Sequence, residues 1–121
     1  MPVSYDEIIS DLKKRIYKPV YFLAGEEPYY IDLITEFIEK NVLDESEKPF
    51  NQLILYGDDT SVASIIEISR RFPMMSSHQV VIIREAQTLK KIEDLVVYVE
   101  KPLPSTILVI NYKYKILDKR T

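Results

Sequence analysis

The chain has 121 residues, 46% of them apolar, which suits one domain, residues 1–121, with a single core. A formal charge of −3 and a pI near 5.2 exclude a surface given over to phosphate binding, which needs a basic face. The lack of cysteine excludes a disulfide framework or a thiolate metal site, and no run reaches membrane-spanning length or forms a signal core. These features are compatible with the cytoplasm.

Ser4-Tyr5-Asp6-Glu7 has the Ser-x-x-Glu pattern of a capping box, and Tyr5, Ile8, Leu12 and Ile16 follow at helical spacing until Pro19. Val20 to Ala24 reads as a first strand and Gly25-Glu26-Glu27-Pro28 as a short loop. Pro28 suits a helix first turn, and Ile31, Ile34, Ile38 and Val42 form that helix's buried stripe. Asn41 to Pro49 is a polar loop. Phe50 to Tyr56 is a second strand, and Gly57 to Thr60 turns into a third helix. Val62, Ile65, Ile66, Ser69 and Phe72 face inward there, and Pro73 stops it. Four β-branched residues, Val80 to Ile83, mark a third strand buried on both faces. Lys90 to Lys101 is a fourth helix carrying Ile92, Leu95, Val96 and Val99. Thr106 to Tyr112 is a fourth strand, and a basic stretch from Lys113 to Thr121 follows.

Strands alternating with helices predict an α/β fold of three layers, a parallel sheet with helices on both faces. Ligands of such sheets bind at the carboxyl ends of the strands. Here that edge comprises Gly25 to Pro28, Gly57 to Thr60, Arg84-Glu85 and Asn111. A phosphate loop needs Gly-x-x-x-x-Gly-Lys-Ser/Thr, so that backbone N–H groups and the Lys surround the phosphates. Counted from Gly25, the last three positions are Tyr30, Ile31 and Asp32, and Glu26 and Glu27 add negative charge. After the third strand a nucleotide triphosphatase carries an Asp for magnesium. Arg84 stands there instead, followed by Glu85 and Ala86, and a cation repels the metal. The expected site is therefore P-loop-like without a functional phosphate loop, with no cofactor and no metal. No His/Cys cluster accompanies the single histidine, His78. Asp58-Asp59 fit a turn and cap, and Arg70-Arg71 fit a helix C-terminus.

An ordered set of segments carries a family resemblance. Gly25-Glu26-Glu27-Pro28-Tyr29 follows the first strand. Phe72-Pro73-Met74-Met75-Ser76-Ser77 enters the third strand. Pro104-Ser105-Thr106-Ile107-Leu108-Val109 and Lys115-Ile116-Leu117-Asp118-Lys119-Arg120 come later. Together they resemble the N-terminal domain of the delta subunit of the bacterial DNA polymerase III clamp loader, a degenerate AAA+ family of three-domain chains. The resemblance implies a longer parent chain and a strand order of 2-3-1-4, which would leave the apolar strand Thr106 to Tyr112 on an exposed edge. It also implies a subunit without ATP hydrolysis or other catalysis, within a DNA polymerase holoenzyme. Such a subunit binds the sliding clamp and helps open it. Other clamp-loader subunits and DNA would be met through the remaining domains and the assembled complex, and no membrane is involved. The family inserts an apolar pair into a clamp pocket, which transfers to Met74 and Met75, flanked by Phe72 and Pro73. Two further readings compete. A small α/β phosphotransferase or nucleotide-dependent regulator would need the missing Lys and Asp. A receiver-like signalling domain would need an Asp where Arg84 stands.

Overall fold

The computed structural model describes residues 5–25 and 28–113. In chain order, α1 (Tyr5–Lys13), β1 (Val20–Gly25) and α2 (Pro28–Asn41) come first. A one-turn helix α3 (Lys48–Asn51), β2 (Gln52–Tyr56), a 3₁₀ turn (Gly57–Asp59) and α4 (Val62–Ser69) follow. Then come β3 (Gln79–Arg84), two 3₁₀ turns (Ala86–Thr88 and Ile92–Leu95), a one-turn helix α5 (Val96–Val99) and β4 (Thr106–Lys113). The expected capping-box Ser4 lies outside the described residues, and α1 stops at Lys13, leaving Ile16 exposed.

The four strands form one parallel sheet, ordered β1-β4-β3-β2. The expectation of 2-3-1-4 is corrected by this order. Val20 pairs with Leu108, and Gln79 with Thr106, so β4 lies between β1 and β3. Thr106 to Tyr112 is thus a central strand rather than an exposed edge. Its burial is continuous through Asn111, whereas β1 alternates between buried and more open positions and β2 has no fully buried residue. A strand paired on both sides and covered on both faces has no solvent face on which to place polar residues.

Alternation along the central strands assigns each face. Val80, Ile82, Ile107 and Val109 point to the layer of α1 and α2, where they meet Leu12, Ile31, Ile34 and Ile38. Val81, Ile83, Leu108 and Ile110 point the other way, to Ile65 of α4 and to Leu95 and Tyr98. The three-layer α/β arrangement is as the alternation of elements implied.

Two inward stripes differ from the expected ones. In the 92–99 stretch Leu95 and Tyr98 are buried, while Val96 and Val99 are exposed. The 3₁₀ turn before α5 has three residues per turn rather than 3.6, which rotates the apolar stripe. Phe72 is 76% exposed instead of facing inward, because α4 ends at Ser69, four residues before Pro73. Side chains satisfy the helix-end carbonyls. Gln79 Nε2 donates to the Ile68 and Arg71 carbonyls at 2.9 Å each. Thr106 Oγ1 and Tyr98 Oη donate to the Ser69 carbonyl at 2.7 and 3.3 Å. The Phe50–Tyr56 stretch also divides: Phe50 and Asn51 belong to α3, and the strand begins at Gln52.

Candidate functional site

The parallel sheet sets two candidate regions at opposite ends: the carboxyl edge, where nucleotides bind in related topologies, and the loop leading into β3 at the amino edge. At the carboxyl edge β1 ends in Gly25, whose φ of 147° is a conformation that L side chains rarely adopt. Glu26 and Glu27 lie outside the described residues. Ile31, at the position a phosphate-binding Lys would take, is 5% exposed and packs in the core. Arg84 Nη2 donates to Glu39 Oε1 of α2 at 3.0 Å, with both side chains partly buried.

The sequence reading missed the residue at the centre of this edge. Lys113 ends β4 opposite Gly25 and is 9% exposed. Its ammonium lies 2.6 Å from Asp32 Oδ1 and 3.9 Å from Glu85 Oε2. Gln87 ties the group together, donating from Nε2 to Glu85 Oε1 at 2.6 Å and accepting the Lys113 N–H at 3.0 Å. Glu85 is held in left-handed geometry, φ 54°. Deeper in, Thr35 Oγ1 donates to the buried Asn111 Oδ1 at 2.9 Å. The only signal in the sequence was a Lys just after an apolar strand, which does not name its partners. Among the described residues no group of three or more His, Cys, Asp and Glu side chains is arranged to hold a metal ion.

The amino-edge loop has the opposite character. Phe72 and Met74 are 76% and 62% exposed, Met75 is fully exposed, and Pro73 is half-buried. Met75 has a left-handed φ of 55°, uncommon for a residue with a side chain. Yet the loop's backbone is well anchored. The buried Asn51 donates from Nδ2 to the Met74 carbonyl at 2.9 Å and accepts the Met74 N–H on Oδ1 at 2.6 Å. Gln79 holds the other side through Arg71. Ser76 and the Asp44 N–H hydrogen-bond Glu47 and hold its carboxyl below the usual carboxylate range. His78 packs edge-on against Tyr17 at 5.3 Å, and its Nδ1 lies 3.0 Å from the Ser77 hydroxyl. The Arg70 guanidinium lies 5.4 Å over the Tyr98 ring, a contact beyond the helix-end role expected for it. Asn51 and Phe50, itself 70% exposed, were hidden by reading this stretch as strand.

A groove of about 630 Å³ also runs along β1, between α1 and α2, lined by Tyr5, Asp11, Tyr21 and Tyr30 among others. It reaches the carboxyl edge at Gly25 and Ile31. Among the described residues no helix is long and apolar enough to cross a membrane.

Comparison with known proteins places this arrangement. The chain is similar to the DNA polymerase III subunit delta of Bacillus subtilis (strain 168), with 29% identity over 94% of this chain and 36% of that protein. Its fold matches the solved structure of the Bacillus subtilis DNA clamp loader delta protein (YqeN), with a TM-score of 0.82 at 24% identity, over 98% of this chain and 38% of that one. The chain therefore spans little more than a third of the length of these relatives. A sequence model of the family described as DNA polymerase III, delta subunit matches residues 21–121, and the chain belongs to that family.

Proposed function

We propose that residues 1–121 are one N-terminal domain of a longer clamp-loader delta chain, acting in DNA replication by binding the sliding clamp through the tip Phe72-Pro73-Met74-Met75 and helping to open it. The observation that carries this reading is the pairing of exposed apolar side chains with a fixed backbone. Met74 and Met75 project into solvent, while Asn51 bonds both backbone polar groups of Met74. Apolar surface left in water is unfavourable for an isolated fold and suits a greasy pocket on a partner. Methionine's flexible thioether adapts to such a pocket. The carboxyl edge, with Gly25, Glu26, Glu27, Ile31, Arg84 and Glu85, is a nucleotide site that no longer functions. The domain has no catalysis of its own and takes no cofactor. Other clamp-loader subunits and DNA are met through the rest of the chain and the assembled complex, in the cytoplasm.

The test is the affinity of the full-length chain for its cognate sliding clamp, with and without Met74→Ser and Met75→Ser together. Burying each Met side chain is worth about 1.5–3 kcal/mol before ordering costs. The double variant should stay folded and bind at least about tenfold more weakly, the equivalent of roughly 1.4 kcal/mol. Unchanged affinity would remove the tip from the interface. In the same samples millimolar Mg-ATP should leave the thermal midpoint of this domain unmoved. A ligand at a hundred times its Kd would add about 2.7 kcal/mol, so a clear upward shift would restore a working nucleotide site.

A further inference from the structure

Asn51 ends α3 as a buried residue, directly after the exposed Phe50. Its single amide occupies both backbone polar groups of Met74, in the way a neighbouring strand would. A third bond, from Nδ2 to the Glu47 carbonyl at 3.2 Å, fixes which way the amide faces. Turned over, the NH₂ group would meet the Met74 N–H and the oxygen would meet a carbonyl. The next residue, Met75, keeps a left-handed backbone with its side chain wholly in solvent. Nothing local favours that conformation for a methionine, so a loop cut free from its anchors would leave it. On the far side Gln79 secures Arg71, so Phe72 and Pro73 arch between two anchored points and Met75 follows directly on the second.

We propose that Asn51 is the positioning residue of the clamp-binding tip. It does not enter the partner's pocket; it holds the Met74–Met75 backbone in the shape that enters. This inference rests on the tip being the clamp contact. Its energetic form is a population. If only a fraction of molecules hold the competent shape, the apparent Kd rises by the inverse of that fraction. An arch that keeps its shape one time in ten would bind about tenfold more weakly.

The experiment compares the full-length chain with its Asn51→Ala and Asn51→Asp variants. Three quantities are read: amide hydrogen exchange at Met74, thermal denaturation, and association and dissociation rates with the cognate sliding clamp. In Asn51→Ala the Met74 amide should exchange at least about tenfold faster while the protein still unfolds cooperatively. Clamp affinity should fall by about tenfold, mainly in the association rate, because the arch must be ordered before docking. Asn51→Asp keeps the shape and the acceptor but sets a carboxylate oxygen against the Met74 carbonyl, and should bind as weakly as Asn51→Ala. A protected Met74 amide in Asn51→Ala overturns the proposal, as does unchanged clamp binding in either variant. Loss of the folded state in both variants makes Asn51 an ordinary core residue and also overturns it. If the wild-type chain does not bind the clamp, the clamp reading falls, while the exchange data still decide whether Asn51 shapes the arch.

Discussion

The two ends of the sheet solve opposite problems with the same kind of material. At the carboxyl edge charges meet charges: Arg84 with Glu39, and Lys113 between Asp32 and Glu85. At the amino edge neutral amides hold backbone, and the apolar side chains of Phe72, Met74 and Met75 stand exposed. Among the described residues, the first end pairs these charges with one another. The second spends its hydrogen bonds on its own backbone and leaves its side chains free for something else.

The largest expected effect lies at the carboxyl edge. A Cβ added at Gly57 would fall 2.3 Å from the Glu85 carbonyl oxygen and 2.6 Å from Thr88 Oγ1. The first of these is backbone and cannot rotate away, so Gly57→Ala should cost about 3 kcal/mol. Urea denaturation would show it as a lower midpoint, and an unchanged midpoint would mean the edge yields more readily than its packing indicates. Next comes Lys113→Met, which keeps the packed stem but removes the ammonium. Losing a charge-assisted contact to Asp32 should cost about 1.5 kcal/mol. Adding Asp32→Asn in that background should recover part of the loss. If the single variant is as stable as the parent, the ion pair contributes nothing and the comparison between the two ends loses one side.

The smallest effect is a pH dependence at the amino edge. The folded state depresses the Glu47 carboxyl, chiefly through the Ser76 hydroxyl and then through the Asp44 N–H. A depressed carboxylate stabilises the fold above its unfolded pKa, and the contribution is lost as pH falls through the lowered folded value. Stability should therefore decline slightly as pH drops below the ordinary carboxylate range, and Glu47→Gln should remove that component. A denaturation series across this range checks the slope, and an identical slope in both proteins would detach Glu47 from the tip.

Local patterns were readable in advance. The α2 stripe of Ile31, Ile34, Ile38 and Val42 is buried as its spacing implied, and β3 is buried on both faces. The apolar runs of β3 and β4 marked them as sheet interior, yet no residue in either states which neighbour it pairs with. Strand order is a non-local choice, which is why β4 came out central rather than peripheral. The end of α4 depends on Gln79, Thr106 and Tyr98, all distant in sequence, so Phe72 was assigned to the wrong side of the loop entrance. Lys113 with Asp32 and Asn51 with Met74 are pairings of the same kind. They are made by the fold, and no spacing rule anticipates them.

The amides of Asn51 and Gln79 carry no net charge, and dissolved ions screen charges rather than neutral dipoles. The arch they support should therefore keep its form from dilute buffer to concentrated salt. Any ionic-strength dependence in docking would then report the long-range field between the two proteins.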